Sequence, residues 1–336
     1  MASDSSPSTG DTRPDEASDG ADAVGDGLPF VSVVVPVYND PDGIEATLDA
    51  LRRQTAPSDR YEVIVVDNGS TDETRDVVRE FLRDEAFEGL RLFVEDRVRG
   101  SYAARNAGVS AATGSVVAFV DADMIVDPGW IEAVAREMAL TDAAYLACDV
   151  RLFTTGEEGT VAKYNRLKDL NVERFIEELS FGPTCSLVVT RALLEDVGGF
   201  DARLRSSGDV EFGNRVAASG RDLRYESDVV VYHPTRTTLG ALLRKSRRVG
   251  RGKTQLRRYY PERYGRPVLA AFNPAAFLPP RPSFMRRSVR DWTELPVRQQ
   301  VAFLLLSYVA SLAKAYGQLL ELASPTDTGA EEPPGR

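Results

Sequence analysis

Two aspartates one residue apart, Asp121 and Asp123, end the run SVVAFVDAD at residues 115–123. An apolar, β-branched run this short reads as a central strand covered on both faces. Where it surfaces, carboxylates at i and i+2 on near-extended backbone project to the same side and can share one divalent cation through oxygen. A plainer reading makes them turn residues before a helix opening at Asp127 and Pro128, since aspartate caps helices and proline suits the first helical position. What else the fold brings to that strand end decides between the two.

The surrounding pattern alternates. Strands are predicted at 31–35, 61–66, 90–94 and 115–120, and helices at 43–53, 71–82 and 102–111, the second of them capped by Ser70. Strands alternating with helices of this length imply an α/β fold with a mainly parallel sheet and right-handed crossovers. Parallel strands bring their carboxyl ends to one rim, where open α/β sheets bind ligands. Three of these ends are polar: Pro36-Val37-Tyr38-Asn39, Asp67-Asn68-Gly69-Ser70, and Asp121-Ala122-Asp123. An aromatic ring, a run of hydroxyls and amides, and a carboxylate pair on one rim could hold a base, a ribose and a metal-bound diphosphate.

Composition limits the alternatives. The 336 residues are 43% hydrophobic and 27% charged, enough for one large domain with an appendage. The net charge of −10 is unevenly placed, with an acidic stretch at 1–27 and a basic one at 244–266. Only five of the 41 basic residues are lysines, and abundant aspartate with scarce lysine would suit a salt-rich cytoplasm. Cys148 and Cys185 each lie in an apolar stretch and read as buried free thiols. The start of the chain has neither the basic region nor the apolar core of a secretory signal. Residues 1–27 and 324–336 read as disordered tails.

Five segments, VSVVVPVYND, VIVVDNGSTDET, RNAGVSAATGSVVAFVDADM, GPTCSLVVTRALLEDVGGFD and SGDVEFGNRV, resemble in order the motifs of family-2 glycosyltransferases, over roughly residues 30–235. The resemblance implies a GT-A-like fold over 28–235, with 236–323 as a basic and apolar helical extension. It implies an inverting enzyme that uses a nucleotide-diphospho-sugar donor and a divalent cation, manganese or magnesium. Pro36 and Tyr38 would then flank the base, Asp67 would meet the base or ribose, and Arg105 would lie near the base or diphosphate. Asp121 and Asp123 would hold the metal. Asp209, in SGDVEF, matches the catalytic base, although the acid usually found just before it is Gly208 here. The plainer reading of Asp209 is a helix N-cap with Glu211 in the first turn. The lone histidine, His233, ends the strand-like run DVVVYHP, where related enzymes often place a third metal ligand or a diphosphate contact. The Gln-x-x-Arg-Trp motif of processive members is absent, which argues against a polymerase.

Three other matches are decoys. Gly252-Lys253-Thr254 lacks the glycine that a phosphate-binding loop needs at the position of Arg247. Asn68-Gly69-Ser70 has the form of a glycosylation sequon but lies at a strand end in the expected site. No Gly-x-Gly-x-x-Gly follows the first strand, against a dinucleotide oxidoreductase.

Residues 244–258 are predicted to form a basic helix, with Arg244, Arg247, Arg248 and Arg251 on adjoining turns. In an acidic protein this points to a phosphate-bearing partner: the donor diphosphate, a lipid-phosphate acceptor or an anionic membrane surface. No recognition motif accompanies it, so nucleic acid is not expected. Residues 295–323 have a helical pattern, with Val301, Leu304, Leu305, Tyr308, Leu312, Tyr316 and Leu319 on one stripe. The apolar core at 301–313 falls short of the ~20 residues a spanning helix needs, so a packed or interfacial helix is expected. The expectation is therefore an enzyme peripheral to the inner face of the cell membrane, adding one sugar to a lipid-linked or cell-surface glycan acceptor. Two alternatives are a sugar-phosphate nucleotidyltransferase and a non-catalytic nucleotide-sugar-binding subunit. The first should carry a glycine-rich basic loop after the first strand, where Pro36-Val37-Tyr38-Asn39 stands.

Overall fold

The computed structural model describes residues 27–168 and 170–323. Apart from Gly27, the segments read as tails lie outside the described residues. The first half alternates as expected: β1 (Val31–Val37), α1 (Pro41–Arg52), β2 (Tyr61–Asp67), α2 (Thr74–Phe81), β3 (Leu90–Val94), α3 (Ser101–Ala111) and β4 (Val116–Phe119). Next come β5 (Ile125–Val126), α4 (Trp130–Thr141), β6 (Tyr145–Phe153), α5 (Thr160–Lys168), α6 (Val172–Leu179), β7 (Leu187–Thr190), α7 (Arg191–Val197), α8 (Gly208–Ala218) and β8 (Arg224–Pro234). The last part is helical: α9 (Leu239–Tyr259), α10 (Pro261–Tyr264), α11 (Pro267–Ala271), α12 (Pro282–Ser288) and α13 (Val297–Ala323).

One sheet has the order β3-β2-β1-β4-β7-β6-β8-β5. The strands β3, β2, β1 and β4 run parallel, β7 enters antiparallel to both β4 and β6, and β6 and β8 are parallel again. All seven residues of β1 are buried because the sheet is covered on both faces. Alternate residues serve the two layers. Val33, Val35, Val63 and Ala118 pack with Ile44, Leu48 and Leu51 of α1, whereas Val34, Ile64 and Val117 pack with Tyr102 and Phe212 on the opposite side.

At two helix starts the residue expected to cap is engaged elsewhere. α2 begins at Thr74, not 71, because Ser70 does not cap it: the Ser70 hydroxyl accepts the Asn39 N–H at 2.9 Å. α4 begins at Trp130 after Gly129, and Asp127 caps nothing; its carboxylate accepts the Tyr232 hydroxyl at 3.2 Å. The short strand β5 takes up part of the intervening chain by pairing with β8, which carries the backbone away from Asp123 before the helix starts.

The helical extension is joined to the sheet body. Leu256 and Tyr260 belong to the core that holds Phe200 and Phe212, and a third core joins Tyr164 and Leu167 of α5 to Leu242, Met285, Trp292 and Phe303. Along α9, α13 approaches so closely that a Cβ on Gly250 would lie 2.0 Å from the Lys314 carbonyl oxygen, and one on Gly317 2.2 Å from that of Arg247. Only glycine permits that approach. Near its end Glu321 is fully buried, accepting from Arg251 Nε at 2.8 Å and Gln255 Nε2 at 3.0 Å. The buried residues of α13 are Phe303, Ser307, Ala310, Ala315, Gly317, Gln318 and Glu321, with glycine at the closest approach to α9. Of the stripe read from the sequence, Val301, Leu305 and Tyr316 are 50%, 59% and 54% exposed. By length and composition the 27-residue helix is also long and apolar enough to cross a membrane, beyond the 301–313 core considered from sequence, with 33% of its most apolar stretch buried in the protein.

Candidate active site

The carboxyl ends of β1 and β4 open into a cavity of about 560 Å³ that gathers Pro36, Tyr38, Arg105, Asp121, Asp123, Asp209 and His233. Seven of the eight residues singled out from sequence thus meet in one place. The exception is Asp67. It is fully buried, its carboxylate accepts the N–H groups of Gly69 and Ser70, each at 3.1 Å, and Arg75 Nε lies at 3.4 Å. With its acceptor capacity turned to its own loop, Asp67 shapes the end of β2 and does not line the cavity.

Tyr38 projects from the end of β1, 47% exposed, with the Arg99 guanidinium 5.8 Å from its ring centre. Arg105, only 3% exposed, reaches from α3 to Asp121, to which its Nη2 donates. Its guanidinium also stands 5.6 Å from the ring of Tyr102, one helical turn back. Among the described residues its buried Nε has no hydrogen-bond partner.

Tyr102 is the residue that sequence reasoning missed. Its hydroxyl accepts the N–H groups of Gly208 and Asp209 at 2.9 and 3.3 Å and lies 3.5 Å from Asp209 Oδ1. The position three residues before Arg105 was the available signal. This contact also explains Gly208, because a Cβ there would come within 2.7 Å of the Tyr102 ring. A side chain of any kind, acidic or not, has no room. Asp209 is the second residue of α8 and not its N-cap, which is Ser207 in a left-handed conformation with φ of 68°. Glu211 turns away to pair with Arg215 at 2.9 Å. Burial pushes the Asp209 carboxyl pKa above the usual range, opposed by the Val210 N–H and by Arg105.

Asp123 is pushed up to about 6, by burial first and then by the charge of Asp121. Two crowded carboxylates are what a cation relieves. His233 is 8% exposed, its Nδ1 stands 3.8 Å from Asp123 Oδ2, and among the described residues that nitrogen has no hydrogen-bond partner. Burial, with Arg236 next in weight, pulls its pKa down to about 4, so the ring is neutral at pH 7 and free to ligate. Among the described residues no three His, Cys, Asp or Glu side chains converge on a single point for a metal. The arrangement fits manganese or magnesium held by one or two carboxylates and completed by diphosphate oxygens and water.

Three cations complete the lining: Arg236, Lys245 and Arg248. Arg236 follows the end of β8 by two residues. Lys245 and Arg248 share one face of α9, which begins at Leu239 behind a Thr238 cap, earlier than the predicted 244. Burial, then Arg236 and Arg248, push Lys245 down to about 7. Of the arginines predicted to act together, Arg248 faces the cavity while Arg251 turns to Glu321.

Residues 32–200 match the family described as Glycosyl transferase family 2. The chain is 34% identical over 302 residues to the glycosyltransferase AglE of Haloferax volcanii, covering 87% of this chain and 96% of that protein. It is 31% identical to the pre-mycofactocin glycosyltransferase of Mycobacterium tuberculosis, across 62% of this chain and 43% of that one. Its fold is similar to that of the Pyrobaculum calidifontis mannosyltransferase PcManGT solved with GDP-Man and Mn2+, with a TM-score of 0.60 at 22% identity over 88% of both chains. A second neighbour is S. aureus TarS 1-349 in complex with UDP-GlcNAc, with a TM-score of 0.51 at 17% identity over 87% of this chain and 91% of that one.

Proposed function

The chain belongs to glycosyl transferase family 2, and we propose that it moves one sugar, with inversion and divalent-cation dependence, from a nucleotide-diphospho-sugar to a lipid-linked or cell-surface glycan acceptor. Membership sets aside the nucleotidyltransferase alternative. The observation that carries the mechanism is that the Asp209 carboxylate and the Asp121–Asp123 pair face one cavity. The acceptor oxygen attacks the anomeric carbon as its bond to the diphosphate breaks; the electron pair leaves with the nucleoside diphosphate, and Asp209 receives the acceptor proton. Tyr102 holds Asp209 in place, Arg105 holds Asp121, and Pro36 and Tyr38 flank the base. Asp67 acts indirectly, through the loop that it ties. When bound, manganese or magnesium supplies Lewis-acid stabilisation of the leaving diphosphate from Asp121 and Asp123, with His233 beside them. In this reading 28–235 is the transferase unit and 236–323 its helical extension.

Purified full chain with a panel of nucleotide-sugars is expected to release nucleoside diphosphate from one of them and to stop when the cation is chelated. A transferred sugar that keeps its donor anomeric configuration would refute inversion. No turnover across the panel, with competent glycan acceptors present, would favour the non-catalytic subunit.

The placement at the inner membrane face rests on the outer side of α13. Val297, Val301 and Leu305 are 75%, 50% and 59% exposed, and the Tyr308 hydroxyl bonds the Phe277 carbonyl, which lays a segment with the exposed Phe272 and Leu278 alongside. Arg281, Arg286, Arg287 and Arg298 are exposed in the same region of the chain. Near an anionic leaflet each basic residue at the surface contributes about 1 kcal/mol. Because α13 also supplies the buried Glu321, the apt variant is the full chain with Val301→Glu and Leu305→Glu rather than a truncation. Wild type should pellet with anionic vesicles, less so as salt shortens the ~10 Å screening length found at 0.1 M. The variant should remain in the supernatant. Equal pelleting of both would remove α13 from membrane contact.

A further inference from the structure

A second cavity, of about 750 Å³, adjoins the first and shares Leu170, Arg236 and Lys245 with it. Its far wall is the end of α12 and the turn after it, including Arg286 and Arg287, and its floor includes Leu152, Leu167 and the buried Trp292. Its size lies in the range of small-molecule sites.

Its charge is one-sided. Besides Arg290, which has a partner of its own, Lys168, Arg174, Arg236, Lys245, Arg286 and Arg287 line it. Of these, Arg174 is paired with Glu178 at 2.8 Å, and Lys168 donates to the Tyr164 hydroxyl at 2.8 Å. Among the described residues the other four, Arg236, Lys245, Arg286 and Arg287, have no ion-pair partner. The acids on the wall, Asp291 and Glu294, pair with none of these four. Arg236 is drawn to the carboxylates of Asp121 and Asp123 in the first cavity, whereas among the described residues no acid is brought into an ion pair with Lys245, Arg286 or Arg287. Like charges in excess on a concave surface repel, and an anion entering the cavity relieves that repulsion.

We infer that the second cavity is the acceptor subsite and that it binds a phosphate group on the acceptor, with Lys245 and Arg236 on the inner side and Arg286 and Arg287 at the rim. The inference rests on the transferase reading of the first cavity. The shared wall gives the direction: a phosphate held in the second cavity places the adjoining part of the acceptor past Arg236 and Lys245, towards Asp209. Arginine suits the role because its planar fork meets phosphate oxygens in pairs. A lipid phosphate and a soluble phosphate ester offer the same group, and experiment separates them.

The test is binding by the full chain to farnesyl phosphate and farnesol in neutral detergent, and to glycerol phosphate in buffer, for wild type and for the double variant Arg286→Gln, Arg287→Gln. Neither residue lines the first cavity, so metal-dependent nucleotide binding should be unchanged and serves as the control for folding and for the donor site. The phosphate probe is expected to bind wild type more tightly than farnesol and to weaken at least ~10-fold in the variant, the loss of one charge-assisted hydrogen bond or more. Preference for farnesyl phosphate over glycerol phosphate would support the site with a lipid source, and equal binding would support it with the phosphate alone. Wild type binding farnesol as well as farnesyl phosphate, or the variant keeping wild-type affinity for the phosphate probe, overturns the inference. Because the readout is binding, a chain that turned over no donor would refute the transferase reading without disturbing this result.

Discussion

Asp209→Asn is expected to bind the donor normally and to lose ~10²–10⁴-fold in transfer to a hydroxyl acceptor, the range that a general base supplies. The asparagine keeps an oxygen for the Val210 N–H at 2.9 Å and for Tyr102, so the α8 terminus should stay in place. A stability measurement separates this from a structural defect. Burial raises the Asp209 pKa in the fold, so the stability associated with this carboxyl is fully present below the unfolded pKa and is lost as pH rises through the folded value. Asparagine has no such loss. The variant should therefore melt no lower than wild type at neutral pH, with any advantage shrinking in acid. Turnover near the wild-type rate would place the base elsewhere. If the acceptor oxygen is itself an anionic phosphate oxygen, no proton needs removal and the defect should be small, so its size reports on the acceptor.

Asp121→Asn together with Asp123→Asn should abolish the metal-dependent part of donor affinity. The two side chains are 37% and 38% exposed, and asparagine at 121 still offers Arg105 an acceptor, so the fold should survive. Titration calorimetry with nucleoside diphosphate, with and without manganese, decides the matter. Wild type should bind more tightly with the ion, and the double variant should bind equally with and without it. An ion effect of the same size in both proteins would remove the pair from the mechanism. Equal binding by both with or without the ion would remove the ion from donor binding altogether.

The strand and helix order of the first half was legible because its signals are local. Runs such as VSVVV and VIVVD are apolar on both faces, as strands covered by two layers must be, and the helices between them carry apolar residues at helical spacing. Parallel connection then sends the ends of β1, β2 and β4 to one rim. Boundaries were less legible, as at Asp127, where a good cap residue was instead engaged by Tyr232 from another strand. Local preference yields when a partner distant in sequence offers the same hydrogen bond.

From the sequence alone came the α/β class, the carboxylate pair at a strand end, the position of Asp209 through its motif, and a positive segment in an acidic chain. Each is a property of neighbouring residues, where backbone geometry alone ties spacing to direction. Tertiary structure decided the rest. It turned Asp67 into its own loop, set Tyr102 against Asp209 across 107 positions and so left no room for a side chain at 208. It brought α13 against α9 at Gly250 and Gly317, because two helices can approach that closely only where side chains are absent. It also joined Arg236 to Lys245 between two cavities. Periodicity reports which side of an element is apolar, whereas the identity of the partner depends on chain closure over a hundred residues, which no local pattern encodes.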